Sequence, residues 1–382
     1  MKMKFEIMRD RLLDGLNDVT KAISSKTTIP ILTGIKIDVR NNGILLTGSD
    51  ADITIQTFIP AEEDGNQIIN IVETGSIVLQ ARMFNEIIRK LPTNDVEIEV
   101  LNDYQTHIRS GKTEFHLIGL DASEYPLLPE ISNENKFEIP ADLLKSIIRE
   151  TVFAVATSES RPVLTGVNWM IENEELICVA TDSHRLARRK VKLENLPNDI
   201  ESIVIPGKSL NELNKILDET SNPVEITMSN QQILFKTDHV LFFSRLLEGN
   251  YPDTSRLIPN EFKTNITVDG KTLLQAIDRA SLVAREDRNN VVRFETLEHD
   301  AVKISSNSPE IGKVEEQIPV HSIEGEELVI SFSAKYMMEA LKAIDGQSQE
   351  VIIQFTGAMR PFILRSVNDD AILQLILPVR TY

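Results

Sequence analysis

A threefold internal repeat is the feature that most constrains the fold of this chain. A Leu-Leu pair followed two residues later by a small residue and then an aliphatic one occurs at 12–16, 143–147 and 273–277, so that successive copies lie 131 and 130 residues apart. Each pair opens a pattern of apolar positions three and four apart, which predicts an amphipathic helix. Since a third of 382 residues is about 127, three such copies fill the chain and leave no room for a separate catalytic domain.

A second helix is predicted in every third, after a β-branched strand, within 76–91, 202–217 and 328–344. Basic, acidic and basic side chains recur at positions i, i+4 and i+7, which lie on one helix face. These charged triplets are Arg82, Glu86 and Arg89, then Lys208, Glu212 and Lys215, then Lys335, Glu339 and Lys342. The opposite face is apolar and is predicted to be buried; its residues are Phe84, Ile87, Leu91, Leu210, Leu213, Leu217, Met337, Ala340 and Ile344.

Alternating apolar and polar residues follow each second helix, at 95–99, 223–227 and 350–354, and predict half-buried strands. Two helices with one apolar side each, and about eight short strands, predict an α+β unit with helices on one face of antiparallel sheet. Tyr125-Pro126 and Tyr251-Pro252 each precede a Pro-containing connection that is typical of a linker. We therefore predict three domains, which span 1–129, 130–259 and 260–382.

The composition is that of an ordinary globular chain, with 41% apolar and 26% charged residues and a net charge of −18. This charge argues against a uniformly basic surface, although a segregated basic patch stays compatible with it. The amphipathic, charged start of the chain does not resemble a secretory signal, and the apolar run at 372–379 is too short to cross a bilayer. The single Cys178 lies in a strand-like apolar segment, so we expect a buried thiol and a cytoplasmic protein.

Short motifs in a fixed order carry a family resemblance over the whole chain. They are Met3-Lys4-Phe5, Pro30-Ile31-Leu32, the block from Ala180 to Ala187, Tyr251-Pro252-Asp253 and Leu377-Pro378-Val379-Arg380. With these motifs the chain resembles the bacterial sliding clamps, the beta subunits of DNA polymerase III. The resemblance implies a head-to-tail homodimer closed into a ring, with sheets outside and helices around a central hole for duplex DNA. It also implies a processivity factor whose partners are the replicative polymerase, the clamp loader and other proteins with a clamp-binding motif.

A closed ring explains how a polymerase can stay attached to DNA and still move, because a topological link needs no tight contact. Phosphate attraction does not depend on sequence and is weakened by salt, so a few basic side chains suffice. An acidic outer surface would repel DNA everywhere except at the hole. By resemblance, the hole-side candidates are Lys26, Arg82, Arg89, Arg149, Lys208, Lys215, Arg279, Lys335 and Lys342.

The second repeat departs locally from the other two, which points to a function of its own. Residues 30–34 of the first repeat match residues 162–166 of the second, which are 132 positions later. The same shift aligns His184 with Asp52 and Arg185 with Ile53. In the family, this block forms an apolar peptide-binding groove together with the following linker and the C-terminal strand. Carried over residue by residue, the groove comprises Leu164, Thr181, Ser183, His184, Arg185, Leu186, Pro252, Arg256, Leu257, Met359, Pro361, Leu375, Leu377, Pro378, Val379 and Arg380. The apolar members would receive leucine and aromatic side chains, and the three arginines would donate to peptide carbonyls or a carboxylate.

The resemblance also implies which residues close the ring. Phe115 and Leu117 on one side match the family's apolar contacts at the dimer seam, and Leu282 and Val283 match them on the other. An exposed sheet edge would otherwise be an aggregation hazard.

A hydrolase built on repeated domains, with Ser183 and His184 as its site, is the alternative hypothesis. Three consecutive side chains from Asp182 to His184 do not converge readily on a substrate, and no G-x-S-x-G elbow surrounds the serine. The six histidines are scattered at 107, 116, 184, 239, 299 and 321, and no phosphate-binding glycine motif occurs. We therefore expect no catalysis, no metal site and no cofactor.

Overall fold

The computed structural model describes residues 2–128, 136–197, 202–229, 231–284, 290–344, 350–367 and 369–380. Within these ranges two α-helices lie in each third of the chain, as predicted. The helices are α1 Arg9–Val19, α2 Ala81–Lys90, α3 Ala141–Thr151, α4 Gly207–Asn214, α5 Gly270–Ala284 and α6 Ala334–Ile344.

The strands follow the same threefold order. In the first third they are β1 Met3–Met8, β2 Gly34–Arg40, β3 Gly43–Ser49, β4 Ile53–Pro60, β5 Glu62–Glu63, β6 Asn66–Gln67, β7 Ile69–Glu73, β8 Gly75–Gln80, β9 Asp95–Val100, β10 Gln105–Ser110 and β11 Thr113–Ile118. In the second third they are β12 Lys136–Pro140, β13 Gly166–Glu172, β14 Glu175–Thr181, β15 Arg185–Lys192, β16 Ile203–Pro206, β17 Pro223–Met228, β18 Gln232–Lys236 and β19 Val240–Arg245. In the last third they are β20 Thr264–Asp269, β21 Val291–Leu297, β22 Ala301–Ser308, β23 Gly312–Pro319, β24 Ser322–Gly325, β25 Val329–Ser333, β26 Glu350–Phe355, β27 Phe362–Ser366 and β28 Ile372–Ile376.

Contacts group the chain into two compact units, the first of which comprises Met1–Asp142 and Glu212–Leu246. It contains a five-stranded sheet in the order β11-β10-β9-β1-β7 and an eight-stranded sheet in the order β12-β17-β18-β19-β4-β3-β2-β8. Helix α1 packs on β3 and β4 and against α2. Strands β4 and β19 pair antiparallel with Ile55 opposite Phe242, so the larger sheet joins strands of the first two repeats.

The second unit comprises Leu143–Asn211 and Leu247–Tyr382. Its nine-stranded sheet has the order β16-β13-β14-β15-β28-β27-β26-β20-β24, and its four-stranded sheet has the order β23-β22-β21-β25. Helices α5 and α6 contact each other and bury their apolar sides with the strands of the last third. Here β15 pairs antiparallel with β28, and Leu186 lies opposite Leu375.

The two units differ from the three domains that the sequence predicts. The physical reason is that strands from different predicted domains are hydrogen-bonded to each other in the pairs β4–β19 and β15–β28. The boundary at 129/130 lies outside the described residues. The division at 129/130 and 259/260 therefore stays a prediction.

The predicted apolar faces of the second helices are confirmed. All nine side chains are buried, from Phe84 at 0% exposure to Ile87 at 6%. Cys178 is fully buried in β14, and burial raises the pKa of its thiol, as expected for an inert core cysteine. Among the described residues, none of the helices has the length and apolar character needed to span a membrane.

Candidate functional site

The turn between β14 and β15 is built by one aspartate. Asp182 Oδ1 accepts hydrogen bonds from the backbone N–H groups of His184 at 2.9 Å and Arg185 at 3.1 Å. Ser183, between them, adopts a left-handed φ of 76°. Repeat one forms the same turn, since Asp50 Oδ1 accepts from Asp52 N and Ile53 N, and Ala51 has a φ of 79°. The sequence match between the two repeats is therefore also a structural match.

Arg185 is buried and paired within its own chain. Only 7% of it is exposed, and its three guanidinium nitrogens all donate within its own chain. Nε donates to Asp182 Oδ2 at 3.0 Å, Nη2 donates to the Phe153 carbonyl oxygen at 2.6 Å, and Nη1 donates to the Glu339 carboxylate. The guanidinium also lies 4.4 Å from the ring centre of Tyr336. In this structure the side chain holds the turn in place, and its donation to a bound peptide stays a prediction.

A cavity of about 400 Å³ adjoins this turn. Four predicted groove residues line it, namely Leu164, Ser183, His184 and Arg185. The remaining lining residues are Val155, Ala156, Thr157, Ser158, Ser160, Arg161, Asp182, Lys335 and Tyr336. Lys335, predicted to face DNA, therefore also borders this cavity.

Tyr336 and the segment from Val155 to Arg161 are site residues that the sequence reasoning missed. Tyr336 directly follows Lys335 of the recurring charged triplet, and that neighbour is the only sequence signal pointing to it. Burial, and then the negative charge of Asp182, raise the pKa of the Tyr336 phenol. The hydroxyl therefore stays protonated at neutral pH and is able to donate a hydrogen bond.

Several predicted groove residues are core residues in this structure. Leu164, Leu186 and Leu375 are 2–3% exposed, and the last two belong to a buried cluster with Ile177 and Val179. Thr181 is also buried; its Oγ1 donates to the Arg185 carbonyl oxygen at 2.6 Å. Of these four residues Leu164 lines the cavity, and all four have little surface left for a bound peptide.

Other predicted groove residues are accessible. Leu257 is 51% exposed, Met359 56% and Leu377 37%, which is unusual for large apolar side chains. Pro252, Arg256, Ser183, His184 and Arg380 are exposed, and Pro361, Pro378 and Val379 are half-buried.

The C-terminal segment lies directly beside the turn. Leu377 N donates to the His184 carbonyl oxygen at 3.0 Å, and Val379 N donates to the Ser331 carbonyl oxygen at 2.8 Å. Two of the segments that the sequence assigned to one groove are therefore in contact.

The Asp-Ser-His sequence is not arranged for a proton relay. Asp182 uses Oδ1 for two backbone N–H groups and Oδ2 for Arg185, while Ser183 N donates to Thr181 Oγ1 at 3.2 Å. Within the described residues, no hydrogen bond links the His184 ring to Asp182 or Ser183. This geometry gives the hydrolase alternative no support.

All nine predicted hole-side cations have exposed side chains. Surface ion pairs within the described part of the chain include Arg89 with Glu86 at 3.6 Å, Lys215 with Glu212 at 2.9 Å, and Arg279 with Glu316 at 2.5 Å. Lys215 lies just beyond the end of α4, and Lys26 lies in a turn after α1. The exposure expected of a DNA-facing set is thus present in every member.

The predicted seam residues lie on two elements. Phe115 and Leu117 are half-buried on β11, which is the outer strand of its five-stranded sheet. Leu282 is 62% exposed on α5, and its neighbour Val283 is half-buried.

Three family models match the chain in order. The N-terminal domain of the DNA polymerase III beta subunit matches residues 3–129, the central domain 138–253 and the C-terminal domain 255–380. The chain belongs to the DNA polymerase III beta subunit family. The repeated α+β architecture described above is therefore the three-domain fold of the DNA polymerase III beta subunits.

Relatives of this family cover the chain from end to end. The Beta sliding clamp of Bacillus subtilis (strain 168) is 61% identical over 381 residues, with 100% of both chains covered. The Beta sliding clamp of Staphylococcus aureus is 52% identical over 380 residues, again with 100% of both covered. The crystal structure of the DNA polymerase sliding clamp from Bacillus subtilis superimposes with a TM-score of 0.97 at 60% identity and covers 100% of both chains.

Proposed function

We propose that this chain is a cytoplasmic processivity factor without catalytic activity, two copies of which close head to tail into a ring around duplex DNA. Its three domains would span 1–129, 130–259 and 260–382. The groove beside the 181–185 turn would tether the replicative polymerase, the clamp loader and other proteins that carry a clamp-binding peptide. The observation that carries the proposal is that β4–β19 and β15–β28 join the repeats within the chain, whereas the equivalent strands β11 and β23 are outer strands of their sheets in the described part of the chain.

The strand pairs β4–β19 and β15–β28, which join successive repeats, are equivalent and have the same register. Strand β15 lies 132 residues after β4 in the sequence. In β4–β19, Thr57 lies opposite Val240; adding 132 to both numbers gives Arg189 and Ile372, which lie opposite each other in β15–β28. The third equivalent of β4 is β23, which corresponds to β15 at a shift of 127. The equivalent of β19 in the first repeat is β11, also at a shift of 127. Both β23 and β11 are outer strands of their sheets within the described residues.

A second copy supplies the missing partner for each of these edges. Extending the observed register sets Phe115 of one copy opposite Val314 of the other, as Phe242 lies opposite Ile55 within the chain. Phe115 and Val314 are both half-buried, so their pairing would complete a core contact. Because each copy has one β11 edge and one β23 edge, two copies form two identical seams and leave neither edge open.

The nine exposed cations fit sequence-independent attraction to phosphates around the hole. The net charge of −18 would keep DNA away from the rest of the surface. The exposed Leu257, Met359 and Leu377 fit the apolar anchor side chains of a docking peptide.

The test is topological retention on DNA. The protein is loaded by its clamp loader onto nicked circular DNA, and the DNA is then cut once. We expect retention on the circle and rapid loss from the linear form, because an encircling ring leaves only over a free end. Equal retention on the two forms would mean binding by affinity and would refute the proposal.

A further inference from the structure

Strands β10 and β11 bring together a cluster that the proposed function does not use. His107 and His116 lie opposite each other in the ladder, and Glu114 shares their face. One ligand atom from each of the three lies within 4.8 Å of the others. His107 Nδ1 is 3.3 Å from Glu114 Oε1, and His116 Nε2 is 3.9 Å from Glu114 Oε2. A tetrahedral zinc ion with bonds of about 2.1 Å separates its ligand atoms by roughly 3.4 Å. The two distances to Glu114 are close to this value and involve one carboxylate oxygen each.

The surroundings of the cluster hold the carboxylate and also set a guanidinium beside one imidazole, because Arg109 Nη2 lies 3.3 Å from His107 Nδ1. A metal ion bound at Nδ1 takes the place of this Arg109 contact. Arg109 Nε donates to Glu114 Oε1 at 2.8 Å and leaves Oε2 facing His116. Arg109 Nη1 is bound by Glu97 at 2.6 Å and Glu99 at 3.0 Å. Lys4 Nζ is 3.0 Å from Glu97 and is the second basic group beside Arg109. The three carboxylates of Glu97, Glu99 and Glu114 therefore exceed the two basic groups by one negative charge. A hydrogen-bonded carboxylate beside two imidazoles is a common donor set for zinc.

We propose that His107, Glu114 and His116 bind a divalent transition metal of the zinc type on the ring-closing strand. The site itself needs only one chain. Its effect on closure rests on the proposed function, because the register of the seam sets Glu315 of a second copy opposite Glu114. Two carboxylates directly opposite each other destabilise strand pairing, and a metal ion bound to Glu114 neutralises one of the two and so reduces that repulsion.

Zinc titration of the full-length protein, followed by calorimetry, tests the site. We expect one zinc per chain, and at least about tenfold weaker binding in His116→Gln, because the second imidazole is lost. His116 is an exposed side chain, with 61% of its surface accessible, so this variant keeps the fold. The matched control is His321→Gln, which removes an exposed histidine that lies 3.5 Å from Glu350 and belongs to no cluster of three ligand residues in the described part of the chain; it should bind zinc as the parent does. Equal zinc affinity in the parent and His116→Gln would overturn the proposal.

Sedimentation of the dimer on dilution, with zinc or with a chelator, tests the effect on closure. We expect zinc to lower the dimer dissociation constant about fivefold for each seam. Glu315→Gln should lower that constant without zinc and remove the response to it. Zinc binding with an unchanged dissociation constant would overturn the closure effect. A chain that stays monomeric at every concentration would instead refute the proposed ring, while the titration still decides the site.

Discussion

At the scale of single residues, the second repeat departs from the first by His184 and Arg185 on a turn that both repeats share, and Arg185 is the buried one of the two. Ile53 is 1% exposed after the first-repeat turn, and Arg185 is 7% exposed after the second. An apolar side chain is thus replaced by a cation that must be fully paired, because an unpaired buried charge is costly. Asp182, Glu339 and the Phe153 carbonyl supply that pairing.

We expect Arg185→Ala to destabilise the protein by about 2–3 kcal/mol, because two carboxylates and a carbonyl lose a charged donor. The loss should appear as a lower midpoint in denaturant unfolding, together with weaker peptide binding as the turn loosens. Arg256→Ala is the matched control for stability, since that side chain is 89% exposed and forms a surface ion pair with Asp253; we expect a change below about 0.5 kcal/mol. An Arg185→Ala protein as stable as the parent would contradict the assigned role.

Sequence reasoning located this turn but not the orientation of its arginine. The shift of 132 identified His184 and Arg185 because both repeats use the same aspartate turn. The partners Phe153, Tyr336 and Glu339 come from segments that only tertiary packing brings to Arg185. A charged block in a sequence is normally solvated, so burial of one of its members leaves no local pattern.

The basic residues differ in how available they are for DNA. Arg82 is exposed on α2, whereas Arg279 already donates to both carboxylate oxygens of Glu316, at 2.5 and 2.9 Å. We expect Arg82→Ser to reduce the salt dependence of DNA binding by about 0.9 in the logarithmic slope for a lost phosphate contact. Arg279→Ser should change the slope less. Salt titrations of fluorescence anisotropy with a short duplex measure both, and an unchanged slope for Arg82→Ser would remove that residue from the DNA-facing set.

At the scale of elements, helix α5 shows how much local sequence decides. Its buried side is formed by residues such as Leu273, Ala276, Ile277 and Ala280, at the spacing that the sequence predicts. Asp269 closes its start, because Oδ1 accepts the backbone N–H of Thr272 at 2.7 Å. Helix faces and caps are set within one turn of the chain, and for this reason they could be predicted.

We expect Asp269→Ala to cost about 1 kcal/mol, the usual value of an N-cap. Hydrogen bonds from Thr272 hold the pKa of Asp269 below its ordinary value. The folded-state pKa is therefore the lower one, so the stabilisation is fully present above the unfolded-state pKa and is lost as the pH falls through the folded-state pKa. Denaturant midpoints of the parent and variant at neutral and acidic pH measure this, with Glu261→Ala as a surface control. A difference that does not shrink in acid would contradict the charged cap.

At the scale of the whole molecule, the strand pairs β4–β19 and β15–β28 are what the repeat pattern could not reveal. Periodicity predicts that a strand exists, but the choice of its neighbour depends on register and on contacts between distant segments. Once both pairs are known, the unpaired equivalents β11 and β23 define the proposed seam.

The most direct measurement for the ring is disulfide formation between copies in the double variant Phe115→Cys, Val314→Cys. Directly opposed residues in antiparallel strands have the Cα separation that a disulfide needs. The native Cys178 is fully buried and does not compete. Under mild oxidation in solution we predict a covalent dimer with two inter-chain bonds, and no cross-link in either single variant beyond background. A protein that stays a monomer of 43.0 kDa under the same oxidation would contradict closure through these strands.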